Sequence, residues 1–201
     1  MSTQAEATPI PTRWRLRKYF GPDLEDLVKR AGLRPALVKS LMALGIDSAE
    51  GIREFLSPGF SSWSEAKSFA ELEAGADWLY RKIIEKKSLC IHGDFDADGM
   101  VATMIMKSGL EALGIPCTTF LPDRTMGHGI SLESVESVHA RGCEVVVTVD
   151  CGVSAVAAVR RAHELGIEVM ITDHHLPDSE LPPAQMIVNP QLQDDETYKI
   201  Y

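Results

Sequence analysis

The chain has 201 residues, of which 45% are hydrophobic and 24% are charged, and its formal net charge is −9. This length allows one well-cored domain with a small appendage and is short for two full domains. No apolar run reaches about 18 residues, which excludes a candidate transmembrane helix in the sequence. The acidic balance argues against a basic nucleic-acid-binding surface, although clustered carboxylates that bind divalent cations would reverse the local field.

The N-terminal segment MSTQAEATPIPTRWRLRKYF has no apolar core before its basic cluster, so we expect no secretory signal. Residues 1–12 are polar, include Pro9 and Pro11, and predict a flexible tail. The basic run that follows, with Trp14 and Tyr19 interleaved, is interpreted as a solvated face, with contact to nucleic acid as the alternative. Its basic residues are Arg13, Arg15, Arg17 and Lys18.

Residues 13–69 are predicted to form a helical leader, because they carry helical patterns and no strand-like run. Three short helices are expected in the segments LEDLVKRAG, PALVKSLMALG and SAEGIREFL, the last of them capped by Asp47 or Ser48. A longer helix is expected over about residues 65–87, with a weakness at Gly75.

From about residue 70 onward, strands alternate with helices, which predicts an α/β fold with a Rossmann-like parallel sheet flanked by helices. The predicted helices are VATMIMKSGLEALG, SLESVESVHARG (capped by Ser131) and VSAVAAVRRAHELG. The predicted strands are SLCIHGD, CTTFLPD, EVVVTVDCG, EVMITDHH and QMIVNP. The unbroken apolar character of VVVTV and VMI is typical of strands that are buried on both faces.

The four cysteines are expected to be free structural thiols, which fits a reducing cytoplasm. They form no CxxC pair, which disfavours a zinc site. Three of them lie in or beside apolar strand-like runs, where cysteine behaves as a small core residue. The four residues are Cys90, Cys117, Cys143 and Cys151.

Acidic and polar side chains follow successive predicted strands, at the point where each strand ends. They lie in HGDFDADG (92–99), in the pair Asp123-Arg124, at Asp150 and in the segment 173–175. The carboxyl ends of parallel strands form the ligand crevice of an open sheet, so these groups should converge. Two divalent cations about 3.5–4 Å apart need several anionic oxygens and a bridging carboxylate, for which Asp150 is the natural candidate. Histidine nitrogens beside carboxylates favour manganese over ions bound purely by oxygen.

Three motifs, HGDFDADG, VDCG and TDHH followed by VNP, resemble in this order those of the DHH phosphoesterase family. The resemblance covers about residues 15–190. That family includes manganese pyrophosphatases, small oligonucleotide or cyclic-dinucleotide phosphodiesterases, and RecJ-type single-strand exonucleases. The leader and the segment LPDRTMGHGIS resemble the RecJ-type branch, although His128 stands where tyrosine is usual.

The resemblance implies a two-metal site for Mn²⁺ or Mg²⁺ and assigns roles to individual residues. The implied metal ligands are His92, Asp94, Asp96, Asp98, Asp150 and His174. The implied catalytic residues are Asp96, Asp150, His174 and His175, and Arg124 is the implied substrate-binding residue. Asp173 or His175 is expected to orient a metal-binding side chain through a hydrogen bond, without binding the metal itself.

The implied function is a 5′→3′ single-stranded DNA exonuclease that releases 5′-mononucleotides in DNA repair or recombination, with no membrane partner. The alternatives are a small-substrate DHH phosphodiesterase and a catalytically silent DHH-like binding scaffold. In the family another ligand aspartate and a C-terminal domain follow VNP. We therefore expect residues 70–201 to be an incomplete DHH domain, in a truncated chain that binds metal weakly and has little exonuclease activity.

Interpretations that need no ligand stay open at each of these positions. Acidic turns bounded by glycine are commonly solvated, and an aspartate before a helix commonly caps it. The interpretations without a ligand are a solvated turn at Asp94, Asp96 and Asp98, an N-cap at Asp150, a hydrogen-bonded loop pair at His174 and His175, and a surface charge at Arg124. Three histidines without a partner pattern are interpreted as structural or surface residues: His128, His139 and His163.

Overall fold

The computed structural model describes residues 23–59 and 70–192. They belong to two compact units, Met1–Ser64 and Glu65–Tyr201. The predicted tail over residues 1–12, the basic run that follows it and the start of the helix predicted from residue 65 lie outside the described residues.

The described part of the first unit forms three short helices, as predicted. Asp23 caps the first helix by accepting a hydrogen bond from Glu25 N at 2.9 Å, and Ser48 caps the third by accepting one from Gly51 N at 3.0 Å. The helices are α1 (Leu24–Ala31), α2 (Pro35–Ala43) and α3 (Ala49–Leu56). They enclose a small apolar core of Leu27, Val38, Leu41, Met42, Ala49 and Ile52.

The second unit contains a five-stranded sheet in the order β2-β1-β3-β4-β5, with every pair parallel. The strands are β1 (Leu89–His92), β2 (Cys117–Phe120), β3 (Val145–Val149), β4 (Glu168–Thr172) and β5 (Met186–Val188). The helices between and before them are α4 (Ala70–Ile84), α5 (Ala97–Ala112), α6 (Leu132–Ala140) and α7 (Val156–Glu164). This confirms the predicted Rossmann-like α/β fold.

The sheet is covered on both faces, because successive side chains of each strand point in opposite directions. Val146 packs in one apolar cluster with residues of α6 and α7, while Val145 and Val147 pack in another with residues of α4 and α5. All five residues of β3 are buried, as its unbroken apolar sequence predicted. None of the helices in the described ranges has the length and apolar character needed to cross a bilayer.

Two helices begin elsewhere than predicted. Helix α5 begins at Ala97 rather than Val101, because the Asp96 side chain caps it by accepting a hydrogen bond from Gly99 N at 3.0 Å. Helix α7 begins at Val156, and its N-cap residue, Ala155, provides no side-chain hydrogen bond. The interpretation of Asp150 as an N-cap of this helix is therefore wrong. The predicted cap of α6 by Ser131 is confirmed.

Gly75 is a point of close packing rather than a weakness in α4. A Cβ atom at this position would lie 2.8 Å from Met170 Cε and 3.0 Å from Val188 Cγ2. The glycine therefore lets α4 pack closely on β4 and β5, and a larger residue there would have to displace the end of the Met170 side chain.

The four cysteines are free, which confirms their predicted structural role. Cys90, Cys143 and Cys151 are buried, and Cys117 is half-buried. Burial raises the pKa of the Cys90 thiol to about 12, so this thiol stays protonated at neutral pH.

Candidate metal centre at the carboxyl edge of the sheet

Three neighbouring strands end at the same edge of the sheet and deliver the predicted site residues there. In the register of the sheet, His92 at the end of β1 pairs with Thr148, and Val149 at the end of β3 pairs with Thr172 at the end of β4. The segments 93–98, 150–153 and 173–175 therefore leave the sheet side by side. This edge is the position at which open parallel sheets bind ligands.

Asp150, His174 and His175 form the tightest group of ligand atoms at this edge. His174 Nε2 lies 2.9 Å from Asp150 Oδ1, and one donor atom from each of the three residues lies within 4.8 Å of the others. The backbone of Asp150 is left-handed, with φ of 62°, and its N–H donates to Thr172 O at 2.9 Å. Such a conformation costs a non-glycine residue about 1 kcal/mol and concentrates at functional sites.

Carboxylates crowd around Asp150. Burial raises the pKa of this carboxyl, His174 opposes that effect, and the negative charges of Asp96 and Asp98 raise the pKa further. The three carboxylates therefore repel one another in the absence of a cation. Hard divalent cations are stabilised by such a group of anionic oxygens.

Asp96 and Asp98 reach the edge from the start of α5. Asp96 Oδ1 accepts the capping hydrogen bond, which leaves its second carboxylate oxygen available, and Asp98 is exposed in the first helical turn. Gly99 is required there, because a Cβ atom would lie 2.5 Å from the backbone nitrogen of Asp94. Asp96 and Asp98 are exposed, so the interpretation of these positions as a solvated acidic turn stays open beside the metal-ligand interpretation.

His92 is fully buried, at 0% exposure, and neither of its ring nitrogens has a hydrogen-bond partner among the described residues. Its ring stacks on Phe120 with centroids 4.9 Å apart. Burial lowers the pKa of His92 to about 4, so the ring is neutral at pH 7. A buried unsatisfied polar group costs about 1–3 kcal/mol, and a neutral imidazole nitrogen is a ligand for transition metals. The donor set at this edge therefore fits a divalent metal.

Both oxygens of Asp94 are engaged by protein groups. Oδ1 accepts hydrogen bonds from Phe95 N at 2.6 Å and Gly129 N at 3.2 Å, and Oδ2 lies 3.1 Å from His128 Nδ1. Burial opposes ionisation of this carboxyl, but these hydrogen bonds outweigh burial and lower its pKa. Asp94 thus anchors the loop around Gly129, and its predicted role as a metal ligand stays a prediction.

Asp173 forms hydrogen bonds to both histidines of the TDHH motif. Its Oδ1 accepts from His174 N at 2.7 Å and lies 2.7 Å from His175 Nδ1, while its Oδ2 accepts from Val153 N at 2.9 Å. The hydrogen bond between His175 Nδ1 and Asp173 Oδ1 raises the pKa of His175 and leaves Nε2 of that ring available to a ligand. Asn189, which the sequence reasoning missed, is buried and donates to His175 O at 2.9 Å. A polar residue directly after β5 was the available signal that Asn189 lies at this edge, although it does not show which group Asn189 contacts.

The loop between β2 and α6 contributes Arg124 and His128. The guanidinium carbon of Arg124 lies 5.7 Å from the centroid of the Phe95 ring, and no ion pair holds it within residues 23–59 or 70–192. His128, interpreted from sequence as structural or surface, contacts Asp94 at the site. A cavity of about 580 Å³ is lined by Asp94, His128, Gly129, Ile130, Asp150, Cys151, Gly152, Val153, Ser154, Ala155, Asp173 and His175.

Residues 88–197, which supply this edge, match the family model for the DHH family, N-terminal domain. This chain belongs to the DHH family. The resemblance inferred from HGDFDADG, VDCG and TDHH is therefore confirmed. The tripeptide that names the DHH family is residues 173–175 of this chain. Asp173 orients the ring of His175, and His174 contacts Asp150.

Curated relatives of this DHH-family chain are named single-stranded-DNA-specific exonuclease RecJ. The protein of Bacillus subtilis is 32% identical over 180 residues, which cover 89% of this chain and 23% of the relative. The protein of Escherichia coli is 37% identical over 182 residues, which cover 90% of this chain and 30% of the relative. The chain thus spans less than a third of the length of these relatives.

Solved structures of the same kind superpose on the DHH-family fold. A crystal structure of exonuclease RecJ bound to manganese is 38% identical, with a TM-score of 0.58 over 63% of this chain and 33% of that chain. RecJ from Thermus thermophilus in complex with Mn²⁺ is 29% identical, with a TM-score of 0.61 over 89% of this chain and 25% of that chain.

Proposed function

We propose that this protein hydrolyses phosphodiester bonds of single-stranded DNA in the 5′→3′ direction, releasing 5′-mononucleotides in DNA repair or recombination. The observation that carries the proposal is the group Asp150, His174 and His175, whose donor atoms lie within 4.8 Å of one another. The RecJ relatives at 32% and 37% identity, which are named for single-stranded DNA, support the choice of substrate. We place the protein in the cytoplasm, with single-stranded DNA as its partner.

The cofactor in this proposal is a pair of Mn²⁺ or Mg²⁺ ions, and the RecJ crystal structures that contain manganese support the choice of metal. The residues that would hold the ions are His92, Asp96, Asp98, Asp150, His174 and His175, with Asp94 as a further predicted ligand. Bound ions would supply Lewis acidity toward the phosphate oxygens and toward water.

The protein residues would position the reacting groups. Asp173 fixes the ring of His175, and Asn189 braces the backbone of the same residue. Asp94 ties the end of β1 to the loop that carries His128. Arg124, whose guanidinium has no ion pair in the described ranges, would bind a phosphate oxygen through two N–H groups.

The domain division in this proposal is a tail over residues 1–12, a helical leader over 13–69 and a DHH domain over 70–201. The boundary between compact units at Ser64 and Glu65 supports a division in this region. The match of the family model to residues 88–197 supports assignment of the second part to the DHH domain.

The first test is Mn²⁺ binding by the chain, measured by electron paramagnetic resonance. We expect Asp150→Asn to weaken binding at least tenfold, because the change removes a charge while asparagine tolerates the left-handed backbone. Asp178→Ala, which removes an exposed acid just beyond the TDHH motif, is the matched control and should bind Mn²⁺ like the unsubstituted chain.

The second test is Mn²⁺-dependent digestion of single strands labelled at the 5′ or the 3′ end. Because the chain spans less than a third of its RecJ relatives, slow loss of the 5′ label as a mononucleotide is the expected result, abolished by Asp150→Asn and retained in Asp178→Ala. Equal turnover of dinucleotides and long strands would instead favour a small-substrate phosphodiesterase. Tight Mn²⁺ binding with no hydrolysis of either substrate would favour a binding scaffold.

A further inference from the structure

His128 places a largely exposed aromatic ring at the mouth of the candidate metal centre. The loop between β2 and α6 carries this residue, which lines the same cavity as Asp150 and His175. Its side chain is 76% exposed, in contrast to the fully buried ring of His92. The exposed face of this ring is accessible to a ligand that enters the cavity.

The ring of His128 is held in place although it is exposed. Its Nδ1 lies 3.1 Å from Oδ2 of Asp94, a side chain that is itself buried. The other oxygen of Asp94 accepts from Gly129 N, so one carboxylate anchors both the ring and the backbone that follows it. Prior immobilisation lowers the entropy cost of binding a ligand to a side chain.

The ring of Phe95 packs against the ring of His128 in a tilted arrangement. The centroids of the two rings are 4.4 Å apart, and the Arg124 guanidinium carbon lies 5.7 Å from the centroid of Phe95. Arg124 and His128 therefore both lie close to the ring of Phe95. Arginine guanidinium groups and aromatic rings are the side chains on which unpaired bases stack.

We propose that His128, supported by Phe95, is a stacking platform for a nucleobase of the substrate strand next to the scissile phosphate. This inference rests on the proposed function and extends it by naming a site for a base.

The test compares substitutions that separate the ring from its hydrogen bond. His128→Gln keeps a donor for Asp94 and removes the ring, whereas His128→Tyr keeps a ring and loses the imidazole hydrogen bond. His139→Ala, a change at an exposed histidine in the last turn of α6, is the control. Binding of a labelled octanucleotide is measured by fluorescence anisotropy with Mn²⁺, using phosphorothioate linkages to slow cleavage.

Each variant is also measured with a strand whose two 5′-terminal nucleotides lack bases. We expect His128→Gln to lower affinity for the normal strand about tenfold, His128→Tyr to lower it less than threefold, and neither to change affinity for the abasic strand. An equal loss on both strands would overturn the platform, because the contact would then be to the phosphate backbone. Retained affinity in His128→Gln would overturn it as well.

Mn²⁺ affinity and hydrolysis of bis-p-nitrophenyl phosphate, a diester without a base, separate this proposal from the proposed function. Failure of the unsubstituted chain to bind Mn²⁺ would overturn the proposed function and the platform together. Normal Mn²⁺ binding and diester hydrolysis, without any effect of His128→Gln on the normal strand, would overturn the platform alone.

Discussion

Replacing His92 with leucine should stabilise the metal-free protein at acidic pH and weaken its binding of Mn²⁺. The ring is fully buried, its two nitrogens lack partners in the described residues, and burial lowers its pKa from the ordinary 6.5 to about 4. The unfolded chain therefore binds a proton at His92 as pH falls through 6.5, while the folded chain stays unprotonated down to about pH 4.

The size of this effect follows from the interval between the two pKa values. From 6.5 down to about 4, the difference corresponds to about 3 kcal/mol of folding free energy, which is absent above pH 7 and complete below pH 4. Leucine has no proton to bind, so this loss is expected in the unsubstituted protein and not in His92→Leu. Leucine also removes a buried unsatisfied group, which adds about 1–3 kcal/mol at every pH.

The assay is urea unfolding of the chelator-treated protein and of His92→Leu at pH 7, 5.5 and 4. We expect the stability advantage of the variant to grow by about 3 kcal/mol between pH 7 and pH 4. With Mn²⁺ at about a hundred times its Kd, the unsubstituted protein should gain about 2.7 kcal/mol and the variant much less.

A difference that stays constant between pH 7 and pH 4 would contradict the assignment of a neutral buried ring to His92. Equal stabilisation of both proteins by Mn²⁺ would contradict its role as a ligand. These two outcomes are independent, because the first is measured without metal and the second at fixed pH.

Three further substitutions test the groups that shape the site. Gly99→Ala places a Cβ atom against backbone and should lower the free energy of unfolding in urea by about 1–3 kcal/mol. Gly109→Ala, in open space within α5, should raise it by about 1 kcal/mol. Equal effects of the two substitutions would refute the packing argument. Asn189→Ala removes the hydrogen bond to the carbonyl of His175. It should lower the free energy of unfolding in urea by about 1–3 kcal/mol and reduce the stabilisation by Mn²⁺. If both values are unchanged, Asn189 does not support His175. Asp173→Asn weakens the hydrogen bond to His175 and removes the charge beside it, both of which raise the pKa of His175. The NMR titration midpoint of that ring in metal-free protein should therefore move to lower pH, and an unmoved midpoint would refute the assignment.

The sheet and the location of the site could be predicted from sequence because both depend on short-range patterns. The β-branched run of β3 specifies a buried strand, and the carboxyl ends of parallel strands meet at one edge regardless of detail. Asp150 and the TDHH histidines could therefore be placed before their contacts were known. The start of α5 was missed because Asp96 satisfies a helix cap and a ligand pattern at the same time.

The role of His128 could not be predicted because it depends on a contact across the fold. The ring meets Asp94, which precedes it by 34 positions, through a loop with no periodic pattern. The left-handed backbone of Asp150 was equally hidden, since aspartate adopts that conformation in ordinary turns too. Asn189 acts on the carbonyl of His175, and sequence motifs carry no information about which backbone groups need a partner.

The single carboxylate of Asp94 anchors both the ring of His128 and the backbone of Gly129, and this affects how mutations in the chain are interpreted. Removal of that side chain frees Gly129 and His128 together, so an activity screen would score Asp94 as essential beside Asp96. The two defects would differ in kind. Loss of Asp96 would act on ion affinity and on the start of α5, whereas loss of Asp94 would disorder a distant loop, with crystallographic B-factors rising at 127–129.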